Sequence, residues 1–370
     1  MLRFAMKPDI HLGGPLPAKR LPIATITAVI TCLTACMTAG FGVSPAAAGA
    51  AATLTGAGST LVAPLESAWG IDFERRYGDT VTYGSVGSGA GISQITARTV
   101  DFGASDAPLT SAQAAACKAG SSPAEECIQI PWALGGIGIS FNLPGIHGLH
   151  LTGPVIAAIY LGQITNWDAP QIKKLNKGVK LPNLKITPAF RSDGSGTTYG
   201  FTDYMSRISS TWKSSVGNAT TVSFPTGVGG KGNAGVTAVV QSTVGAIGYI
   251  EVSYIIAHGL SAAGVENAGG KFVLPNLKNI EAAGNTVKHV PANNEMHIVD
   301  PPKKYPLAYP ISTFTYCIVP LGSAKKELLA SWIFYAITRG QAFGPPLDFV
   351  PIPKIVFNAA NKSINELKAS

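Results

Sequence analysis

The run RSDGSGTTYGF, Arg191 to Phe201, gathers one arginine, one aspartate, three glycines and four Ser/Thr hydroxyls around a single turn. Short hydroxyls, glycine-freed backbone N–H groups and a guanidinium together suit one task, the holding of an anion at the start of a helix. Two further stretches have the same character: GAGSTL (Gly56–Leu61), with Ser59 and Thr60, and GSGAG (Gly87–Gly91), with Ser88. One such Ser or Thr is an ordinary helix cap. Three of them, with Arg191 and its near neighbour Asp193, make a plausible anion cage.

Other chemistries fail on spacing. A P-loop needs G-x-x-x-x-G-K-[ST], and in GVGGKGN (Gly227–Asn233) Lys231 is followed by Gly232, so the magnesium-binding hydroxyl is missing. The same stretch matches G-x-G-x-x-G at Gly227, Gly229 and Gly232, but no convincing strand precedes it. The nucleophile elbow G-x-S-x-G fails at Ser195, where Asp193 holds the first glycine position, and at Ser88, where Val86 does. The six histidines are scattered and form no metal-ligand pair, so neither a positioned base nor a metal cluster is expected.

The elements that must position these residues are short apolar strands alternating with helical patterns. ATLTGAGST reads as a strand running into a turn, followed by a helix from Thr60 with Leu61, Leu65, Ala68, Trp69 and Phe73 at helical spacing. TVTYGSVGSGAGISQITAR repeats the plan, with Ser88 near the helix start. VDFGASDAPLT is a short strand ending at Asp106. IQIPWALGGIGISFNLPG (Ile128–Gly145) reads as an apolar strand pair, and LTGPVIAAIYLGQITNWDAPQIKKLN carries two helical patterns. Strand, polar turn and helix recur through KITPAFRSDGSGTTYGFTDYMSRIS. AVVQSTVGAIGYIEVSYIIAHG gives a helix end, a strand and a helix; YPISTFTYCIVP is a late strand and KKELLASWIFYAITRGQAF an amphipathic helix. Trp332, Phe334 and Tyr335 are expected in the packing. Strands alternating with helices imply an α/β protein with mainly parallel sheets.

With 370 residues, 13% of them charged and 46% hydrophobic, the chain is long enough for two packed domains. A net charge of +8 without blocks of Lys and Arg interleaved with aromatics gives no nucleic-acid surface. Lys19 and Arg20 precede the apolar run LPIATITAVITCLTAC (Leu21–Cys36), which is short for a membrane span and reads as an export signal. Two ways of processing stay open. LTAC resembles a lipobox with Cys36 as the lipidated residue, and SPAAAGAAA (Ser44–Ala52) offers ordinary cleavage sites. In an oxidising compartment Cys117 and Cys127, flanking a polar loop, favour a disulfide, while Cys317 in an apolar run is a core thiol.

LTGAGSTL, YGSVGSGAGISQI, VDFGASDAPLT, IYLGQITNWD, RSDGSGTTYGFTDYM, GVGGKGNAGV and GAIGYIE stand in the order found in the phosphate-binding proteins of bacterial phosphate ABC transporters. The chain resembles that family from about Leu54 to at least Pro320. The resemblance implies a type II periplasmic-binding-protein fold, two α/β lobes with mixed sheets joined by two crossovers. On that pattern 1–52 are signal segment and linker, 53–132 with 310–370 one lobe, and 133–309 the other. It also implies a non-enzymatic, exported and monomeric receptor without cofactor, whose partners are inorganic phosphate and a membrane ABC permease. Carried over residue by residue, the phosphate contacts fall at Thr60, Leu61, Ser88, Asp106, Arg191, Ser195, Gly196 and Thr197, with Ser59 beside them. Leu61 departs from the family, where Phe is frequent.

Asp106 is the unexpected member, a carboxylate facing an anion. Phosphate near neutral pH still carries a proton that an ionised carboxylate can accept, whereas sulfate has none to give and would meet only repulsion. A site built on such a bond discriminates by roughly 10⁴ or more. A sulfate receptor and a secreted phosphatase are the rival readings. The first is opposed by Asp106, the second by hydroxyls without a positioned histidine.

Overall fold

The computed structural model describes residues 51–120 and 125–370. The expected signal segment and Cys36 lie outside the described residues.

Among the described residues nine strands form the main sheet, eight of them on one path: β1 Thr53–Gly58, β2 Thr80–Ser85, β3 Phe102–Ser105, β4 Cys127–Phe141, β5 Thr187–Arg191, β6 Val228–Gly230, β7 Ala246–Glu251 and β8 Ser312–Pro320. They run in the order β2-β1-β3-β8-β4-β7-β5-β6, with the short strand Ser261–Ala262 beside the end of β4. β2, β1 and β3 are parallel, as are β7, β5 and β6. β8 is antiparallel to β3 and β4, and β4 antiparallel to β7, so the sheet is mixed rather than mainly parallel. A second, small sheet joins His150–Leu151, Gly264–Glu266 and Phe272–Val273.

β4 corrects the expected strand pair. Its fifteen residues form one strand, because Gly135 and Gly136 stay in the ladder opposite Thr313 and Ser312 and the chain does not turn before Asn142 and Pro144. From Cys127 to Gly136 it pairs with β8, and from Ile137 to Phe141 with β7. The sheet thus has two halves that share this strand, and Ile137 N–H donates to Ile311 O (2.8 Å) where the partner changes.

Seven of the helices that pack against the sheet are α1 Ala63–Tyr77, α2 Ser88–Thr96, α3 Gly196–Ile208, α4 Gly232–Ser242, α5 Val252–Ala257, α6 Lys326–Ile337 and α7 Lys354–Ala369. α1 starts after Thr60, since Ser59 to Val62 form the turn itself and Pro64 takes the first turn, where its missing N–H costs nothing. β6, a three-residue strand, does precede GKGN, so that segment is a fourth strand–turn–helix unit. α7 buries Val356, Ala360, Ile364 and Leu367 at helical spacing.

Each half-sheet is covered by its own aromatic cluster. Trp69, Trp132, Trp332 and Phe73 pack edge to face behind the first half, with Trp69–Trp132 centroids 5.6 Å apart and Phe73–Trp332 5.1 Å. Tyr335 belongs to the same cluster, but Phe334 is 47% exposed, because the residue between two core-facing neighbours on a helix points outward. Behind the second half Phe201 stacks on Tyr249 at 4.3 Å, with Tyr160, Trp212 and Phe224 around them. α2 lies unusually close to β1: a Cβ on Gly91 would stand 2.5 Å from Gly58 Cα, and Gly58 itself has φ +147°. Only glycine fits both places. Cys117 and Cys127 form a disulfide, and Cys317 is buried and unbonded.

Candidate functional site

All four strand–turn–helix units, together with the end of β3, deliver their turns to one place, beyond the carboxyl ends of the parallel strands of both half-sheets. Ligands of open α/β sheets collect at such strand ends. β1 ends into Ser59 and Thr60, β2 into Gly87 and Ser88, β3 into Asp106, β5 into Arg191 to Ser195, and β6 into Gly232 and Asn233. Every residue expected in the site is buried: Ser59, Thr60, Leu61, Ser88, Asp106, Arg191, Ser195, Gly196 and Thr197. The two halves meet there. Gly196 N–H donates to Ser88 Oγ (3.0 Å), and Gly89 N–H donates to Gly194 O (2.9 Å).

Arg191 is 5% exposed and carries the charge. Its Nε donates to Asp193 Oδ1 (2.8 Å) and one terminal nitrogen to Asp193 Oδ2 (2.5 Å), a two-pronged pairing that fixes the guanidinium plane. Burial pushes the Asp193 carboxyl up, but the Arg191 contacts and the Gly232 N–H outweigh it and hold the group below its usual value. The other terminal nitrogen donates to Thr197 Oγ1 (3.2 Å). A guanidinium has five N–H donors, so after these three bonds two remain for a ligand. Below it the Tyr249 hydroxyl accepts from Arg191 N–H (2.9 Å) and shares a 2.8 Å bond with Thr198 Oγ1, which ties the strand end to the aromatic cluster.

Three hydroxyls have both lone pairs filled by protein donors. Ser88 Oγ accepts from Gly196 N–H and, at 3.4 Å, from Asp106 N–H. Thr60 Oγ1 accepts from the Asn233 backbone (3.1 Å) and from Asn233 Nδ2 (2.9 Å). Thr197 Oγ1 accepts from Arg191 and from Asn233 Nδ2 (3.2 Å). A hydroxyl so occupied has only its proton left to offer, which suits an anion. Ser195 Oγ caps α3 by accepting from Thr198 N–H (3.0 Å), and Leu61 N–H donates to Ser59 Oγ (3.0 Å), so the Leu61 amide already has an internal partner.

Asp106 is 1% exposed and accepts from the Ser59 hydroxyl. Burial raises its pKa to about 6, against the opposing pull of Ser59, Arg191 and Thr315. Near neutral pH it is the acceptor among donors. Ser59 therefore acts on Asp106 and on its own turn.

Asn233 and Tyr254 are the members that spacing did not single out. Asn233 is fully buried, and Tyr254 OH donates to Thr60 O (2.8 Å). The signal for Asn233 was there as a fourth repeat of the glycine turn, hidden because a three-residue VGG strand has no apolar alternation. A cavity of about 210 Å³, lined among others by Thr60, Ser85, Asp193, Lys231 and Tyr254, adjoins the cage. The larger cavity, about 750 Å³ beside Lys118, Gln129 and Asn293, is lined by none of the expected phosphate contacts. Among the described residues no group of three His, Cys, Asp or Glu side chains could hold a metal ion.

Residues 43–339 match the PBP superfamily domain. The chain is 37% identical over 305 residues to the phosphate-binding protein PstS of Xylella fastidiosa (strain Temecula1), covering 81% of each chain. It is 37% identical over 311 residues to the phosphate-binding protein PstS of Pasteurella multocida, covering 83% of this chain and 88% of that one. Among solved structures, the high-affinity periplasmic phosphate-binding protein PfluDING, determined with phosphate bound, superposes with a TM-score of 0.66 at 20% identity, over 84% of this chain and 93% of that one. The chain belongs to the PBP superfamily and, within it, to the family of the PstS phosphate-binding proteins.

Proposed function

We propose that this protein captures inorganic phosphate between two lobes and delivers it to a membrane ABC permease, without chemical turnover. The observation that carries the reading is one buried acceptor, Asp106, set among donors whose lone pairs are already filled. An anion with a proton to give satisfies every member of that set; a fully ionised one does not. The names of the relatives, phosphate-binding proteins, point the same way.

In this reading Arg191 supplies two charged N–H bonds, Thr60, Ser88 and Thr197 supply hydroxyl protons, and the start of α3 at Ser195 and Gly196 supplies the helix field. Asp106 accepts the phosphate proton, and Leu61 closes the apolar wall beside them. The lobes are 53–132 with 310–370, and 133–309. The change of partner along β4 between Gly136 and Ile137, and the nearby Ile137–Ile311 bond, support two crossovers there. The receptor works outside the cytoplasm as a monomer, with Leu21–Cys36 as its export signal and Cys36 as a candidate lipid anchor.

Titration calorimetry of the purified protein with phosphate, arsenate and sulfate tests this. Phosphate and arsenate, which share the protonated tetrahedral anion, are expected to bind and sulfate to be rejected. Failure to bind phosphate, or sulfate binding of equal strength near neutral pH, overturns the reading, as would sustained hydrolysis of a chromogenic phosphate ester that Ser195→Ala abolishes.

A further inference from the structure

We propose that Asn233 sets the direction in which the site's two threonine hydroxyls point, and so acts as a positioning residue for the anion without touching it. The inference rests on the phosphate reading above.

The Asn233 side chain has no freedom to turn over. Its Oδ1 accepts from Glu251 N–H at 2.9 Å, which forces the NH₂ end toward the cage. There it donates one hydrogen to Thr60 Oγ1 (2.9 Å) and the other to Thr197 Oγ1 (3.2 Å). Thr60 follows β1 and Thr197 lies in α3 after β5, so one carboxamide reaches hydroxyls from both half-sheets. Each of these oxygens also receives a second donor, the Asn233 backbone at Thr60 and Arg191 at Thr197. With two lone pairs filled, neither hydroxyl can accept from anything else. Both protons are committed outward before a ligand arrives, and donors fixed in advance lower the ordering cost of binding.

Without the carboxamide, each threonine keeps one incoming bond and regains a free lone pair. Its proton can then turn to another partner, and ligand binding must reorder it. An aspartate at the same place has the same shape but the opposite polarity: it draws both threonine protons to itself and adds a negative charge beside the anion.

Calorimetry and stopped-flow release measurements with inorganic phosphate test this on the full chain, comparing wild type with Asn233→Ala, Asn233→Asp and Asn233→Ser. Asn233→Ala is expected to weaken phosphate about tenfold, as for a lost neutral hydrogen bond or two, mostly through faster release. Asn233→Asp should weaken it at least about a hundredfold, since a charged misfit costs more. Should the alanine variant fail to fold by circular dichroism, Asn233→Ser decides, because one hydroxyl proton cannot serve two acceptors and a several-fold loss is still expected. In the alanine or serine variant the ratio of phosphate to sulfate affinity should hold, as Asp106 is intact. Phosphate affinity unchanged in Asn233→Ala or Asn233→Ser, an aspartate variant that binds as well as the alanine one, or a collapsed ratio would each overturn the inference. A wild-type protein that ignores phosphate would instead sink the function on which it rests.

Discussion

Gly196 and Asp106 stand so close that a methyl group on the glycine would lie 2.6 Å from both the Cβ and the backbone nitrogen of the aspartate. One residue opens α3 in the second half-sheet and the other follows β3 in the first, and two of the three atoms in the way belong to or adjoin the Asp106 backbone. Neither can swing aside as a flexible side chain would.

Gly196→Ala is therefore expected to hold the two halves apart. Overpacking of this kind costs about 1–3 kcal/mol, which corresponds to a loss of phosphate affinity of roughly 5- to 150-fold at little cost to the stability of the unliganded protein. Calorimetry for affinity and a thermal melt without ligand separate the two effects. A variant that binds like wild type would show that closure does not need this contact.

Asp106 predicts a pH dependence of selectivity rather than of affinity alone. Burial raises its pKa to about 6, so above that pH it is ionised and accepts, and below it the carboxyl is neutral and can donate. Sulfate affinity should rise as pH falls through about 6, and Asp106→Asn should bind sulfate without that rise. Competition of sulfate against phosphate at pH 5 and pH 8 checks both. A wild-type ratio that stays constant across the range contradicts the acceptor role.

Much of this arrangement is legible in the residues. The units at Ser59, Ser88 and Ser195 carry apolar strands long enough to read, followed by glycine turns and helical spacing. The Arg191–Asp193 pair is local enough to place, while Asp106 reads from the residues only as the end of a short strand and took its place in the site from the family resemblance. Asn233 is not, because its partners Thr60 and Thr197 lie 173 and 36 positions away and only the fold brings them together. β4 reads as two strands for a different reason: a fully buried run shows no alternation, and its middle glycines, Gly135 and Gly136, mimic a turn while in fact making room for Phe349 and Ile280.

The Tyr254 hydroxyl donates to Thr60 O (2.8 Å), tying α5 to the turn after β1. Tyr254→Phe removes one neutral hydrogen bond between the halves, worth about 1 kcal/mol. Phosphate should leave roughly fivefold faster, with little change in the rate of binding, as closure follows encounter. Stopped-flow release against a phosphate trap measures it. An unchanged release rate would assign Tyr254 to packing alone.

Glu251 gives the protein a stability that declines with rising pH. The carboxyl is fully buried and caps α5, accepting from Ser253 N–H (2.9 Å) and from the Ser253 hydroxyl, while Oε1 has no partner among the described residues. Burial raises its pKa from 4.5 to about 8, with bonds from Ser253 and Tyr254 opposing and Asp106 adding to the rise. Because the folded value lies above the unfolded one, the native state holds a proton that the unfolded chain has released between pH 4.5 and 8. Its contribution is complete below pH 4.5 and is lost as pH rises through about 8, with a slope of up to ~1.4 kcal/mol per pH unit. Asp106, raised from 3.8 to about 6, acts in the same direction at lower pH. The unliganded protein should accordingly melt at a lower temperature at pH 8 than at pH 5.5. Glu66, also buried and raised by burial well above 4.5, adds a decline in the same direction. Glu251→Gln, which cannot ionise, should therefore make the decline between pH 6 and 8 shallower without abolishing it, and melting curves of the two proteins across that interval decide it: a slope identical to wild type would mean that Glu251 does not contribute to the loss.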